Sequence, residues 1–253
     1  MKTQAKERWW TVPSGMWTDK TCFILAGGPS ITGIDTVAIS RLGKVIVINT
    51  SYRLLYNADI LYFSDTKWWD DHRSEVRRCF LGWQITMGHP KLECCRSLRQ
   101  GTQLGLSHDP GTLCHGGNSG YQAINLAYLF GACRIVLLGY DMRVVPMTYQ
   151  DDQGHIRDTR GRYSGQIYWH SGHGRETIAS YSRRVKYWIP MFWSLVQPLR
   201  KAGVEVVNCS PGSALPCWPI RPLDEILDEE HAKMARGSLQ RHPLSKNMGI
   251  CAI

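Results

Sequence analysis

An apolar segment of strand length ends in a glycine turn close to the N-terminus: Thr21-Cys22-Phe23-Ile24-Leu25-Ala26-Gly27-Gly28-Pro29-Ser30. The residues that follow, Ile31 to Leu42, have apolar side chains at a spacing that predicts a helix. In α/β proteins such a strand–turn–helix corner binds phosphates. Glycines let a ligand approach the backbone, and a helix N-terminus presents unpaired N–H groups. The four residues Gly-Gly-Pro-Ser are equally compatible with a plain turn.

Further apolar segments predict the buried strands of a parallel sheet, and polar or amphipathic segments between them predict helices. The predicted strands are 44–49, 59–65, 134–141 and 204–208, with shorter ones at 82–86 and 102–106 around an irregular basic segment. The predicted helices are 52–56, 66–78, 121–130 and 175–202, the last one kinked at Pro190 and Pro198. This alternation is typical of a doubly wound, mostly parallel α/β sheet of the Rossmann type.

Composition divides the chain into three predicted regions. Residues 1–20 form an aromatic arm, and 21–222 form a single α/β nucleotide-binding domain. Residues 223–253 contain a short acidic helix at 223–231 and then a basic tail. Inside the domain, 143–174 is polar, rich in glycine and without periodicity. We expect this segment to be a lid over a binding site, because long irregular loops in compact domains are usually functional.

Charge and cysteine content limit the function classes. A net charge of +9 favours an anionic partner such as a nucleotide or a nucleic acid. Ten tryptophans could stack on bases or sugars, although tryptophan more often fills a core. The cysteine spacing suggests neither a disulfide framework nor a zinc site. Apolar runs fall short of the roughly 20 residues that cross a bilayer, and we expect a cytoplasmic protein.

Several motifs occur in an order that resembles the sialyltransferases of glycosyltransferase family 42. They are the Gly27–Ser30 turn, Asn49 after the second strand, Ser119-Gly120 before a helix, the run 135–141, and a histidine before the last long helix. The chain is also similar to the wider group of Rossmann-like proteins around that family. This group includes archaeal pterin diphosphokinase-like proteins and uncharacterised phage proteins. The resemblance extends from about Thr21 to Pro219.

The resemblance implies a pocket for the nucleotide of a sugar donor, formed by two loops and by polar residues at strand ends. Backbone N–H groups bind phosphate there, and Asn or Asp side chains can bind ribose hydroxyls or a base edge. The predicted nucleotide-binding residues are Gly27, Gly28, Pro29, Ser30, Asn49, Asp65, Asn118, Ser119, Gly120 and Asp141.

The resemblance also implies a histidine as general base near the start of the last long helix. His173 is the first candidate and His170 the second. A histidine with a pKa near neutrality can take the proton of an acceptor hydroxyl, as an inverting transfer requires. Either histidine could instead be a loop residue that only bonds to the backbone.

The sequence departs from the family after Asp141, where Met142 replaces a tyrosine that assists the departing phosphate. This departure leaves sialic acid and its CMP carrier in doubt. Other residues could assist the phosphate, or could be ordinary surface residues: Arg143, Tyr149, Tyr163 and Arg175. The acidic pairs at 70–71 and 151–152 lack the spacing of a metal-binding Asp-x-Asp motif. We therefore expect no metal and no cofactor besides the nucleotide-sugar co-substrate.

The resulting prediction is a metal-independent inverting glycosyltransferase that acts on a hydroxyl acceptor. Similarity to phage proteins suggests an acceptor on DNA, for example a hydroxymethylated base, and the positive charge fits that polyanion. A diphosphokinase-like transferase on a small hydroxymethyl heterocycle is one alternative. A non-catalytic nucleotide-binding module is another.

Overall fold

The computed structural model describes residues 8–146, 148–150, 156–158, 165–170 and 177–241. Its centre is an eight-stranded sheet in which every neighbouring pair of strands is parallel. The strands of this sheet are β1 (Thr21–Leu25), β2 (Lys44–Ile48), β3 (Ile60–Phe63), β4 (Trp83–Met87), β5 (Arg96–Gln100), β6 (Thr112–Leu113), β7 (Arg134–Leu138) and β12 (Glu205–Asn208). In the described part of the chain between β7 and β12 there are four short strands: β8 (Val145–Pro146), β9 (Thr148–Gln150), β10 (Ile156–Asp158) and β11 (Gly165–Gln166).

The strand order β12-β7-β1-β2-β3-β4-β5-β6 makes the sheet doubly wound. From β1 the chain proceeds strand by strand to one edge, and it then returns to place β7 and β12 on the other side of β1. The order therefore reverses between β1 and β7, and open α/β sheets bind their ligands at such a switch point. The predicted α/β class and doubly wound parallel sheet are confirmed.

Helices cover both faces of the sheet: α1 (Thr36–Leu42), α2 (Thr66–Cys79), α3 (Ser119–Leu129), α4 (Ile178–Lys201) and α5 (Leu223–Arg241). Side chains of β1 alternate between two separate cores, since Cys22 and Ile24 face one and Phe23 and Leu25 face the other. Residues of α3 and α4 complete the first core, and residues of α1, α2 and α5 complete the second. Among the described helices, none is both long and apolar enough to span a bilayer.

Two predicted elements beyond β4 are wrong. The basic segment that we expected to be irregular forms strand β5, and 102–106 forms a turn in place of a strand. Strand β5 can contain charged residues because only Ser97 and Leu98 are buried in it, and because the Arg96 guanidinium lies over the Trp83 ring at 4.3 Å. The turn at 102–106 contains Gly105 with φ of +97°, a conformation that a strand does not contain.

Helix boundaries also differ from the prediction. The first helix begins at Thr36 and not at Ile31, because Gly33 has φ of +82° and the Asp35 carboxylate caps Val37 and Ala38. Residues Pro29–Ile31 form a separate 3-10 turn. The last helix does not stop at 231 but continues to 241, beyond which the chain lies outside the described residues.

The aromatic arm packs on the sheet instead of extending from it. Trp17 stacks on Phe130 with ring centroids 4.3 Å apart, and Val12 is buried in the same core. Trp10 lies edge-on against Trp83 at 5.6 Å. These tryptophans fill the core, which is the more ordinary of the two roles that the composition allowed. The predicted lid contains paired strands, since β8 pairs with β11 and β9 pairs with β10.

A buried arginine joins helix α5 to the edge of the sheet. The Arg134 guanidinium, on the first residue of β7, lies 2.7 Å from Glu205 and 2.8 Å from both Glu229 and Glu230. The side chains of Arg134 and Glu230 are only 10% and 6% exposed. Burial of a charge is unfavourable without partners, so each of these two groups depends on the other.

We expect Arg134→Met to lower the free energy of unfolding by about 3 kcal/mol, because it leaves the Glu230 carboxylate buried with Lys233 as its remaining partner. Arg221→Met is the matched control, since Arg221 pairs with the exposed Glu225 and the half-exposed Glu229. The control should lose about 1 kcal/mol or less. Urea unfolding measures both, and equal losses would contradict the importance assigned to Arg134.

Candidate functional site

A cleft of about 980 Å³ opens at the carboxyl ends of the strands that flank the switch point. Residues that follow β1, β2, β3 and β7 form its floor, and residues of α2, α3 and α4 form its walls. Its size is at the upper end of the range of roughly 300–1,000 Å³ that is usual for ligand pockets. The predicted residues that line it are Gly27, Gly28, Asn49, Asp65, Asn118, Ser119, Gly120 and His170.

The glycine turn brings the ends of β1 and β7 into direct backbone contact. The Gly28 N–H donates to the Gly139 carbonyl at 2.9 Å. A Cβ atom on Gly28 would lie 2.4 Å from that carbonyl oxygen and 2.0 Å from Oδ2 of Asp141. Only glycine fits at this position, for reasons of space. Gly27 differs, since the nearest atom to its Cβ would be Cδ1 of Tyr168 at 3.1 Å.

Ser30 and Asp141 brace this turn from behind the cleft. The Ser30 hydroxyl donates to Oδ2 of Asp141 at 2.7 Å, and the Ser30 N–H donates to Oδ1 at 3.2 Å. Burial raises the pKa of the Asp141 carboxyl, although the bonds from Ser30 oppose that rise. Pro29, Ser30 and Asp141 are not among the residues that line the cleft. Two N–H groups that we expected to be unpaired in this turn are therefore bonded, that of Ser30 to Asp141 and that of Gly28 to Gly139.

Asn49 is the polar side chain of the floor that has an unused acceptor. It follows β2 with φ of +48°, which is uncommon outside glycine but tolerated by asparagine. Its Oδ1 atom is buried and has no hydrogen-bond partner. The hydroxyls of its neighbours are bonded, since Thr50 accepts from Trp68 at 3.0 Å and Ser51 donates to Ala26 at 2.9 Å. A buried acceptor without a donor is costly, so Asn49 is the least satisfied polar side chain that lines the cleft.

Helix α2 contributes one wall of the cleft, and Asp65 is the residue immediately before this helix. The Asp65 carboxylate accepts from the Lys67 N–H at 2.8 Å, so it caps the helix and also borders the cleft. His72 lines the same wall, with its ring stacked on Trp68 at 4.6 Å. Its Nδ1 must donate to the Trp68 carbonyl at 2.8 Å, because a carbonyl only accepts. In the neutral ring, Nε2 is then the acceptor.

The second glycine loop forms the N-terminus of α3. Asn118 caps the helix by accepting from the Tyr121 N–H at 2.9 Å, and Ser119 bonds to Ser64 at 3.1 Å. Gly116 has φ of +50°, and a Cβ atom there would lie 2.0 Å from the Tyr121 ring. His115 precedes these glycines and lines the cleft, with Nδ1 accepting from the Gly117 N–H at 3.1 Å.

The wall opposite α2 consists of aromatic rings and a cation. Tyr181, Arg184 and Trp188 of α4 line the cleft together with Tyr168. The Tyr181 ring lies edge-on to both Tyr168 and Trp188, at 5.8 and 6.3 Å, and the Arg184 guanidinium lies over Trp188 at 5.2 Å. Burial raises the pKa of Tyr168 to about 12 and also raises the pKa of Tyr181. Both phenols therefore stay protonated near neutral pH and can donate hydrogen bonds.

The remaining predicted residues have different placements. Arg143 is not among the lining residues, and its guanidinium lies against Gly212. Tyr149 belongs to β9. His173, Tyr163 and Arg175 lie outside the described residues. Within the described part of the chain, groups of three or more His, Cys, Asp or Glu side chains that could hold a metal are absent.

Sequence reasoning missed most of the helical walls. On α2 these are Lys67, Trp68, Asp71 and His72, and on α4 they are Ser180, Tyr181, Arg184 and Trp188. Both sets repeat every three to four residues, so each shares one face of its helix. That spacing was visible in the sequence once the helices were predicted. The sequence did not show which face of each helix borders the cleft.

We expect Gly28→Ala to lower the free energy of unfolding by about 3 kcal/mol, because the methyl group overlaps fixed backbone of the β7 turn. Gly27→Ala should cost about 1 kcal/mol or less, since the Tyr168 ring can shift to make room. Thermal and urea unfolding of the two variants compare these neighbours directly. A Gly28→Ala protein with unchanged stability would rule out the close contact between the two turns.

Comparison with known proteins gives a distant structural likeness. The sequence matches no protein-family model and no curated protein. One solved structure that the chain is similar to is the sialyltransferase CstII from Campylobacter jejuni, in complex with the substrate analogue CMP-3FNeuAc. The sequence identity is 11%, the match covers 80% of this chain and 86% of that chain, and the TM-score is 0.46.

Proposed function

We propose that the cleft binds the nucleotide of an activated sugar and that the protein is a metal-independent inverting glycosyltransferase. The observation that carries the nucleotide-binding part is the 980 Å³ cleft at the switch point, which both glycine loops and Asn49 line. In the proposal the Asn49 side-chain amide bonds to a base edge or a ribose hydroxyl. The ordered motifs that resemble glycosyltransferase family 42 support transfer of a sugar.

In this proposal the two glycine loops and the strand ends hold the nucleotide. Gly27 and Gly28 admit it close to the backbone, while Pro29, Ser30 and Asp141 keep the turn in place behind them. Asn118, Ser119 and Gly120 present the N-terminus of α3, where the helix dipole favours a phosphate. Asp65 contributes at the border of α2. Its carboxylate is already a cap, so its contact with the ligand is secondary.

The transfer step needs a base and stabilisation of the leaving phosphate. The acceptor hydroxyl oxygen forms a bond to the anomeric carbon of the sugar and loses its proton to a histidine. The bond from that carbon to the phosphate oxygen breaks, and the nucleotide departs with the electron pair. His173 remains the first candidate for the base and His170, which lines the cleft, the second.

Cationic and phenolic donors take the place of a metal in this scheme. Arg143, Tyr149, Tyr163 and Arg175 remain the candidates from the sequence. Arg184, Tyr168 and Tyr181 join them, since all three line the cleft and both phenols keep their protons. Such donors stabilise negative charge strongly where water is excluded. The proposed acceptor is a hydroxyl, for example that of a hydroxymethylated base in phage DNA.

Nucleotide binding can be tested by thermal shift across nucleotides and nucleotide sugars. A ligand at 100 times its dissociation constant should stabilise the protein by about 2.7 kcal/mol. Asn49→Ala should weaken the best ligand about tenfold, because it removes one hydrogen bond of about 1.5 kcal/mol. Asn57→Ala, at an exposed turn outside the cleft lining, is the control and should not change affinity. A panel without any response would remove the basis of the proposal.

Catalysis can be tested with His173→Ala and His170→Ala. We expect the variant that removes the base to lose at least about a hundredfold in turnover while it keeps its affinity for the donor. His108→Ala is the control, since His108 bonds to Tyr128 and does not line the cleft. Activity that a chelator abolishes would favour diphosphate transfer. Nucleotide binding without turnover of any donor would favour a binding module.

A further inference from the structure

Helix α4 has an outer face of unusual composition. Its 24 residues include no Asp or Glu, and its cations are Arg183, Arg184, Lys186, Arg200 and Lys201. Arg183 and Lys186 are exposed, and neither forms an ion pair with a residue that the structure describes. A run of like charge on one helix is destabilising on its own, so it is typical of a surface that meets an anion.

Two large aromatic rings share this outer face with the cations. Tyr187 is 56% exposed and Trp193 is 53% exposed, whereas Phe192 next to Trp193 is fully buried in the core. The Tyr187 hydroxyl accepts from Nε2 of Gln103, which holds the ring in place. The Val, Ile, Leu and Met side chains of the helix are all buried or half-buried. The face therefore offers flat rings and cations without large aliphatic anchors.

The outer face is continuous with the cleft. Arg184 and Trp188 line the cleft, and Arg183 and Tyr187 each precede one of them in the sequence. Successive residues of a helix are rotated by about 100°, so the exposed pair lies at the border of the wall. A chain that lies along α4 would reach the cleft beside Arg184. The helix is about 36 Å long, at about 1.5 Å per residue, so the surface can accept several units of a polymer.

We propose that the outer face of α4 binds single-stranded nucleic acid and guides it into the cleft. Its use as the acceptor rests on the proposed glycosyl transfer, whereas the binding itself does not. Cations along a groove hold the phosphates of a strand, and exposed aromatic rings stack on its bases. A base must be unpaired to enter an enclosed site, which favours a single strand over a duplex. An anionic lipid surface fits less well, because membrane-bound helices use aliphatic as well as aromatic anchors.

The test is fluorescence anisotropy of a labelled 20-nucleotide deoxythymidine strand with the full chain, at several salt concentrations. The double variant Arg183→Gln/Lys186→Gln should weaken binding. The slope of log Kd against log salt should fall by about 1.4, since each phosphate contact to a single strand contributes about 0.7. The matched control is Arg77→Gln/Arg78→Gln, which removes two exposed charges from the last turn of α2. The control should leave the slope unchanged.

A second variant distinguishes stacking from attraction to a membrane. Trp193→Leu should weaken strand binding about fivefold or more, because leucine cannot stack on a base. If the partner were a membrane, the leucine variant would still bind vesicles that contain phosphatidylserine. If both double variants lost the same affinity for the strand, the interaction would be a non-specific attraction of charge and the proposal would be overturned. Binding to the vesicles without binding to the strand would also overturn it.

The same proteins can be examined for nucleotide binding by thermal shift, which separates the two proposals. A nucleotide response without strand binding would overturn the α4 surface alone. Strand binding without a nucleotide response would overturn the proposed glycosyl transfer and leave the surface intact.

Discussion

The cleft depends on the backbone contact between the turns that follow β1 and β7. These two strands are neighbours in the sheet, yet the chain places more than a hundred residues between them. The Gly28 N–H reaches the Gly139 carbonyl, and the Ser30–Asp141 bonds hold the turns from behind. Any side chain at Gly28 would separate them. The cleft therefore has its shape at this edge of the sheet because residue 28 is glycine and because the Ser30–Asp141 bonds hold the turn in place.

Most polar side chains around the cleft already have structural partners. Asp65 and Asn118 cap helices, and His115 accepts from a nearby backbone N–H. Such bonds fix the site before a ligand arrives, which reduces the entropy lost on binding. They also leave few groups free to select the ligand. Asn49 stands out against this background, because its Oδ1 is unsatisfied and its backbone is in the left-handed conformation.

The sequence was informative where pattern and local chemistry coincide. Buried parallel strands are apolar on both faces, so β1, β2, β3, β7 and β12 could be predicted from it, and the strand ends then located the floor of the cleft. It was less informative for β5, whose charged residues are accommodated by tryptophan rings from elsewhere in the chain. Tertiary contacts of this kind have no local signature. The same holds for α5, which is anchored through Arg134 at a distance of almost a hundred residues.

The distribution of charge in the cleft follows from its construction. The floor consists mainly of backbone and neutral side chains, and the Asp65 carboxylate at its border is bonded to the N–H groups of α2, because parallel strand ends near the core cannot accommodate unpaired charges cheaply. Among the residues that the structure describes, the Lys and Arg side chains that line the cleft come from the helical walls, where long side chains keep contact with water. Lys67 on α2 and Arg184 on α4 face the cleft from opposite sides. A phosphate bound between the glycine loops would thus be flanked by two positive charges, which the Asp65 and Asp71 carboxylates of the α2 wall partly offset. On α4 that positive charge continues beyond the cleft, so the same helix that closes the site also connects it to the outer surface.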